Sequence, residues 1–185
     1  MKKRYLVIIF AILTLVGCSD KAKIEIFNNT SYNEIWYSLN DGEPIMIDSL
    51  QTVELKYDVT SYLLFSDTKK IDIVYGGKYV VTKQKKYNLA PGDSRNIEIF
   101  TDAGEMIIQN GSFDRHINQV YIVESGEDFE ENLLSTPIGP WEDKTFNLES
   151  GFWDLKIVDN TGDIILEHNI FISLEASWTY TYVEN

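Results

Sequence analysis

Few side chains in this 185-residue chain are equipped for chemistry. Cys18 is the only thiol, and His116 and His168 are the only imidazoles. A hydrolytic triad needs such a base beside a nucleophile and an orienting acid. His116 sits in the loop-like Asp114-Arg115-His116 and His168 follows Glu167 in a strand pattern, so both read as surface or edge residues. The motifs HExxH, GxSxG, GxxxxGK(S/T) and CxxC do not occur, which removes the core residues of the common metalloprotease, esterase, nucleotide-binding and redox readings. Carboxylates are so abundant, 29 Asp and Glu against 16 Lys and Arg, that neighbouring pairs carry little meaning. Glu127-Asp128 with Glu130-Glu131, and Asp159-Asn-Thr-Gly-Asp163, have some oxygen-rich character suited to Ca²⁺, with Asp159 and Asp163 as weak candidate ligands. Neither has the twelve-residue pattern that closes on a Glu, so both are expected to be hairpins or solvated loops. No cofactor is expected.

Aromatic residues are the stronger lead for binding. Tyr32, Trp36 and Tyr37 early in the chain, and Trp141, Phe152 and Trp153 later, offer flat faces to a sugar or a protein partner. Strand alternation sends Trp36 and Tyr37 to opposite faces, so one of the two is expected outside.

The N-terminus supplies the most specific motif. Met1-Lys2-Lys3-Arg4 is cationic and residues 6–16 form an uncharged apolar run of 11. That run suits a secretory signal, which needs about 7–15 apolar residues, and is too short for a spanning helix of about 20. Leu15-Val16-Gly17-Cys18 follows and resembles the lipobox read by prolipoprotein diacylglyceryl transferase and signal peptidase II. The resemblance implies a signal peptide over 1–17 recognised through Leu15, Val16 and Gly17, and a mature chain starting at a Cys18 that carries palmitate-type acyl chains. Two or three such chains hold a protein on a bilayer, so the membrane becomes a partner through the lipid and the location extracytoplasmic. Ser19 after the cysteine, by likeness to enteric-type sorting, favours the outer membrane over the inner cell membrane.

Loss of Lys2, Lys3 and Arg4 would take the net charge from −13 to −16. Such a surface repels phosphate, so nucleic acid and anionic headgroups are poor partners. With one cysteine there is no disulfide to support the fold. Richness in Ile, Val, Tyr, Phe and Trp nevertheless allows a core.

Period-2 alternation dominates residues 18–185: Val53, Leu55 and Tyr57; Ile97 and Ile99; Trp153, Leu155 and Ile157; Tyr180 and Tyr182. Turn signals such as Asn40-Asp41-Gly42, Gly76-Gly77, Pro91-Gly92-Asp93 and Asn160-Thr161-Gly162 separate the runs. Residues 128–134 are the best short helical candidate. The fold class is all-β after an N-terminal signal helix. An internal duplication refines it. Ile26-Phe27-Asn28-Asn29-Thr30-Ser31-Tyr32 matches Ile107-Ile108-Gln109-Asn110-Gly111-Ser112-Phe113. Thr52-Val-Glu-Leu55 and Tyr62-Leu-Leu-Phe-Ser-Asp67 match Thr145-Phe-Asn-Leu148 and Trp153-Asp-Leu-Lys-Ile-Val-Asp159, and residues 87–100 lie over 170–183 without a gap. The expected organisation is a lipidated tether over 18–21, then two tandem antiparallel β-sandwich repeats of immunoglobulin-like type at 22–102 and 103–185.

The second repeat, with Ile117-Asn-Gln-Val-Tyr-Ile-Val123, Asn132-Leu-Leu134, Thr145-Phe-Asn-Leu148 and Gly151-Phe-Trp-Asp-Leu-Lys-Ile-Val-Asp159, resembles a small β domain that recurs in secreted and lipid-anchored bacterial proteins. Similar domains often carry Trp-Gly ahead of the Asn-Leu-Leu block where this chain has Phe129-Glu130. The combined expectation is a non-enzymatic, membrane-tethered binding or assembly module that engages an envelope protein or glycan through a sheet face or an edge strand. Two rivals are an envelope glycan- or peptide-processing enzyme using paired carboxylates and a calcium-dependent adhesin.

Overall fold

A computed structural model describes the backbone of residues 18–61 and 66–184 and the side chains of 21–60 and 66–184. Leu15, Val16, Gly17 and the signal helix lie outside the described residues, as do four residues of the Tyr62-to-Asp67 block. Thirteen strands follow one another: β1 Cys18–Asn28, β2 Ile35–Leu39, β3 Ile45–Ile47, β4 Thr52–Ser61, β5 Lys69–Gly77, β6 Val80–Leu89, β7 Ser94–Ile99, β8 Ala103–Asn110, β9 Ile117–Glu124, β10 Asp143–Glu149, β11 Gly151–Asp159, β12 Ile164–Ile172 and β13 Ser177–Tyr182. Among the described residues there is no helix, and residues 128–134 are irregular chain. None is therefore long and apolar enough to cross a membrane.

The chain divides into two compact units, one running to Gly77 with Thr82–Phe100, the other formed by Lys78–Val81 with the chain from Thr101 onward. In the first unit, β4-β1-β7 form one sheet and β3-β2-β5-β6 the other; in the second, the orders are β10-β8-β13 and β12-β11-β9. Strand for strand the second order repeats the first, except that β3 is reduced to a single bridge between Ile117 and Ile138, standing where Ile35 pairs Ile47. Each unit also holds one parallel pair, β1 with β7 and β8 with β13. Alternation reports faces and not direction, so this departure from an all-antiparallel sandwich was invisible to it. The parallel pair is reached through the whole intervening sheet, as a parallel neighbour requires.

The cores follow the alternation. In the second unit Met106 and Ile108 of β8 and Tyr182 of β13 face Val120, Ile122, Leu155, Ile157, Ile170 and Ile172 of the other sheet, with Phe146, Leu148, Trp153, Trp178 and Tyr180 at the margin. Two inner faces sharing one core make a sandwich. In the first unit Ile24, Ile26, Ile97 and Ile99 are buried in one sheet and Ile35, Tyr37, Ile71, Ile73 and Leu89 in the other.

Residues 18–21, expected as a tether, are strand: Cys18, Ser19, Asp20 and Lys21 lie opposite Ser61, Thr60, Val59 and Asp58. Their short polar run reads as linker because the partner strand that extends them lies 40 residues away. The duplication is also shifted relative to its sequence alignment. β11 takes the place of β5, not of the Tyr62-to-Asp67 block, because Tyr37 pairs Tyr75 and Ile122 pairs Leu155 across equivalent strands.

Candidate functional site

One buried asparagine builds the same loop frame in each unit. Asn28 and Asn110 are fully buried at the ends of β1 and β8. The Asn28 amide donates to Tyr32 O at 2.9 Å and Ile47 O at 3.0 Å, and its side-chain oxygen accepts Thr30 N–H at 3.0 Å. Asn110 repeats the set with Arg115 O at 2.8 Å, Ile138 O at 3.0 Å and Ser112 N–H at 3.1 Å. The structural equivalents are therefore Asn28 and Asn110, Thr30 and Ser112, Ser31 and Phe113. The sequence match was one residue off, because Asn28-Asn29 offers two asparagines and the residues aligned by type had Tyr32 on Phe113. A one-residue slip exchanges the faces of a strand, and burial decides which alignment stands.

The frame also fixes a four-residue turn. Gln51 N–H donates to Asp48 O and Glu142 N–H to Gly139 O, both at 3.1 Å, while Asn28 N–H donates to Gln51 O and Asn110 N–H to Glu142 O. The side chain of the fourth residue caps the first: Asp48 N–H reaches Gln51 Oε1 at 3.3 Å and Gly139 N–H reaches Glu142 Oε2 at 2.8 Å. The third residue has positive φ, 59° at Leu50 and 64° at Trp141, a position usually given to Gly or Asn. Both side chains stand in solvent, 67% and 62% exposed. Trp141 meets Phe113, itself 77% exposed, edge to face at 5.1 Å and 88°.

The remaining aromatics named from the sequence divide between core and surface. Tyr37 is buried and Trp36 half-buried on the opposite face, its indole resting against Gly76, where an added Cβ would lie 3.3 Å from the ring. Tyr32 is a half-buried loop residue. Trp153 packs against the core and donates to Glu149 O at 3.0 Å. Phe152, its neighbour, is exposed.

Asp159 and Asp163 meet a guanidinium. Arg115 Nη1 lies 2.9 Å from Asp159 Oδ2 and 2.7 Å from Asp163 Oδ2. Asp159 is buried and also accepts from Tyr182 Oη at 2.8 Å, Thr161 Oγ1 at 2.8 Å and the N–H groups of Thr161 and Asp163 at 2.9 Å. Burial alone pushes its carboxyl up, but the hydrogen bonds from Thr161, Tyr182, Asp163 and Arg115 together hold it well below the carboxylate range. Both carboxylates thus have their counter-charge in Arg115. Among the described residues no group of three or more His, Cys, Asp or Glu is arranged to hold a metal ion.

Asp154 and His168 form a second polar cluster. Strands β11 and β12 slip register between Trp153 and Leu155, where His168 and Asn169 oppose one residue. The buried Asp154 carboxylate fills this bulge, accepting Asn169 N–H at 2.9 Å and Ser125 Oγ at 2.8 Å, with His168 Nδ1 at 3.0 Å. The Asn169 N–H first, then His168, then Ser125 and Gly126, outweigh burial and hold this carboxyl far below its usual value. Ser, Asp and His are all present, but the carboxylate stands between hydroxyl and imidazole. The base therefore does not touch the nucleophile, which a triad requires.

Outside that bulge, the solvent face of β9, β11 and β12 is mostly apolar, with Gln119 and Lys156 among its aliphatic and aromatic side chains. Across it lie Ile164 beside Val158, Leu166 beside Lys156 and Tyr121, and Phe171 beside Phe152. Ile164, Leu166, Phe171 and Phe152 are each at least half exposed, and the two phenylalanine rings lie 5.1 Å apart. Lys156 Nζ sits 4.9 Å above the Tyr121 ring, against which Phe129 packs at 6.4 Å. Asp154 is the one acid among these rows, and its carboxylate is already engaged. Sequence reasoning missed Ile164, Leu166 and Phe171. The signal was present in Ile164-Ile-Leu-Glu-His-Asn-Ile-Phe-Ile172, which is apolar at both parities and so must either be covered on both faces or show one.

No family model and no curated protein matches this chain. Solved structures similar to it include the TIE protein of Bacillus anthracis (10% identity, TM-score 0.34, 89% of this chain and 33% of that one). Two others are a candidate cell adhesion protein of Bacteroides fragilis (8%, 0.35, 88% and 92%) and the minor pilin GBS52 of Streptococcus agalactiae (9%, 0.28, 88% and 94%). The chain spans about a third of the TIE protein's length.

Proposed function

We propose that this chain is a lipid-anchored, extracytoplasmic, non-enzymatic binding or assembly module that docks an envelope protein or glycan on the outer face of β9, β11 and β12. The carrying observation is the exposed pair Ile164 and Leu166 on one side of the Asp154–His168 bulge and the exposed pair Phe152 and Phe171 on the other, on a chain of net charge −13. Large apolar side chains gathered in the open on one sheet face mark interaction surfaces. The lipobox-like Leu15-Val16-Gly17-Cys18 supports the anchor. Strand pairing that reaches Cys18 would leave no free linker between the acyl chains and the first unit.

The experiment combines two measurements on intact cells. Cys18→Ala is expected to abolish palmitate labelling and release the protein from membranes; labelling that persists refutes the anchor. Leu166→Lys with Phe171→Lys is expected to abolish co-purification of cross-linked envelope partners while leaving the fold intact. Unchanged partners would refute the docking face.

A further inference from the structure

We propose that the Phe113–Trp141 corner is a second docking site, shaped for a basic segment of a partner protein whose Lys or Arg side chain lies over the aromatic faces. It shares no residue with the sheet face proposed above and stands or falls separately.

Three observations carry it. The first is exposure. Trp141 holds φ +64° at the third position of a turn, where a bulky side chain is disfavoured, yet its ring is 62% exposed. Leu50 holds the same conformation at φ +59°, so the turn belongs to the shared frame and the exposed indole is what the second unit adds to it. The second is rigidity. Asn110, fully buried, accepts Ser112 N–H and donates to Arg115 O and Ile138 O, so one residue pins the loops on either side of both aromatics. Ser112 Oγ then accepts Arg115 N–H at 2.9 Å, and Trp141 N–H donates to Asn110 O at 2.8 Å. The rings are exposed on a fixed frame, and unit one builds that frame with Ser31 and Leu50 in their places, so the fold does not need aromatics there.

The third is charge, which selects the occupant. Residues 111–114 and 139–144 carry three acids, Asp114, Glu142 and Asp143, against one cation, Lys144. Arg115 next to them is held by Asp159 and Asp163. A cation is drawn to this corner by the carboxylates and by the negative faces of the rings, and an anion is repelled.

The test is a titration of the full chain in detergent with a fluorescent Lys/Arg decapeptide, its Glu-substituted counterpart and a neutral β-glucan hexasaccharide. Saturable binding of the basic peptide is expected, weakened at least tenfold by Trp141→Leu and by Phe113→Ser and unaffected by Leu50→Ala, with melting curves for all three variants matching the parent. Basic-peptide binding that ignores Trp141→Leu and Phe113→Ser would reduce it to general attraction to an acidic surface and overturn the proposal. Absence of peptide binding, or binding of the hexasaccharide alone, would overturn it equally.

Discussion

The two units hold the same frame and finish it differently. At the loop end, Asn28 and Asn110 make matching hydrogen bonds, but the tips are Ser31 and Leu50 in one unit and Phe113 and Trp141 in the other. At the open edge of the second sheet the contrast runs the same way. Strand β6 carries Lys83, Lys85 and Lys86, and on its outer side Gln84 and Lys86 meet Asp72 at 2.7 and 3.6 Å. Its counterpart β12 carries Ile164, Leu166 and Phe171. Lysines on an edge discourage pairing with other strands; β12 instead interrupts its edge with the bulge that Asp154 locks. The two units therefore share the frame that folds them and differ at these solvent-facing positions, with lysines on β6 and aliphatic and aromatic side chains on β12.

The comparison breaks most visibly at the shared asparagine. Asn110→Ala removes one hydrogen bond each from Ile138 O, Arg115 O and Ser112 N–H, of which Ile138 O keeps Ile117 N–H, and is expected to cost about 3 kcal/mol, given roughly 1–3 per buried group left unpaired. Asn28→Ala should cost about the same, measured by urea unfolding followed by tryptophan fluorescence. A loss under about 1 kcal/mol at either site would mean the frame does not hold the loops.

Acid should separate the units next. Asp154 and Asp159 have carboxyls lowered well below their unfolded value, so the stability they provide is complete above the unfolded value of about 4 and drains as pH falls through the lowered ones. Trp141, Trp153 and Trp178 report the second unit and Trp36 the first. With single-tryptophan variants, the second unit is expected to lose stability progressively below about pH 4, and Asp159→Asn to flatten part of that slope. Stability of the second unit that is flat between pH 5 and 2 would contradict the two carboxylate clusters.

The smaller effects sharpen the contrast at the tips and edges. Trp141→Gly and Leu50→Gly each relieve a left-handed side chain and are expected to stabilise by about 0.5–1 kcal/mol after the entropy cost of glycine. Destabilisation by Trp141→Gly would show that the indole holds the fold together. Leu166→Lys on the solvent face should change stability by less than about 0.5 kcal/mol, since the position is half exposed. A larger loss in thermal unfolding would place Leu166 in the core.

Legibility in the sequence followed the strength of the local signal. Alternation at Trp153, Leu155 and Ile157 placed β11 correctly and put Trp36 and Tyr37 on opposite faces, as they are. It could not give strand direction, so the parallel pairing of β8 with β13 was missed. It could not give register across the duplication either, because the residue that sets it, Asn110, looks like any turn asparagine until its burial is seen. Asp159 looks like a loop acid in the sequence because its partners Arg115 and Tyr182 are 44 and 23 residues away. Trp141 was named from its type alone; the turn that exposes it depends on Asn110, which no local pattern connects to residue 141.

The most direct measurement is site-specific photocross-linking on intact cells, with a benzoylphenylalanine probe placed at position 166 of β12 or at position 84 of β6. Discrete high-mass adducts at 166 and none at 84 are predicted, since β12 presents exposed apolar side chains around position 166 and β6 presents Gln84 and lysines around position 84. No adduct at 166, or equal adducts at both, would contradict the division of labour between the two units.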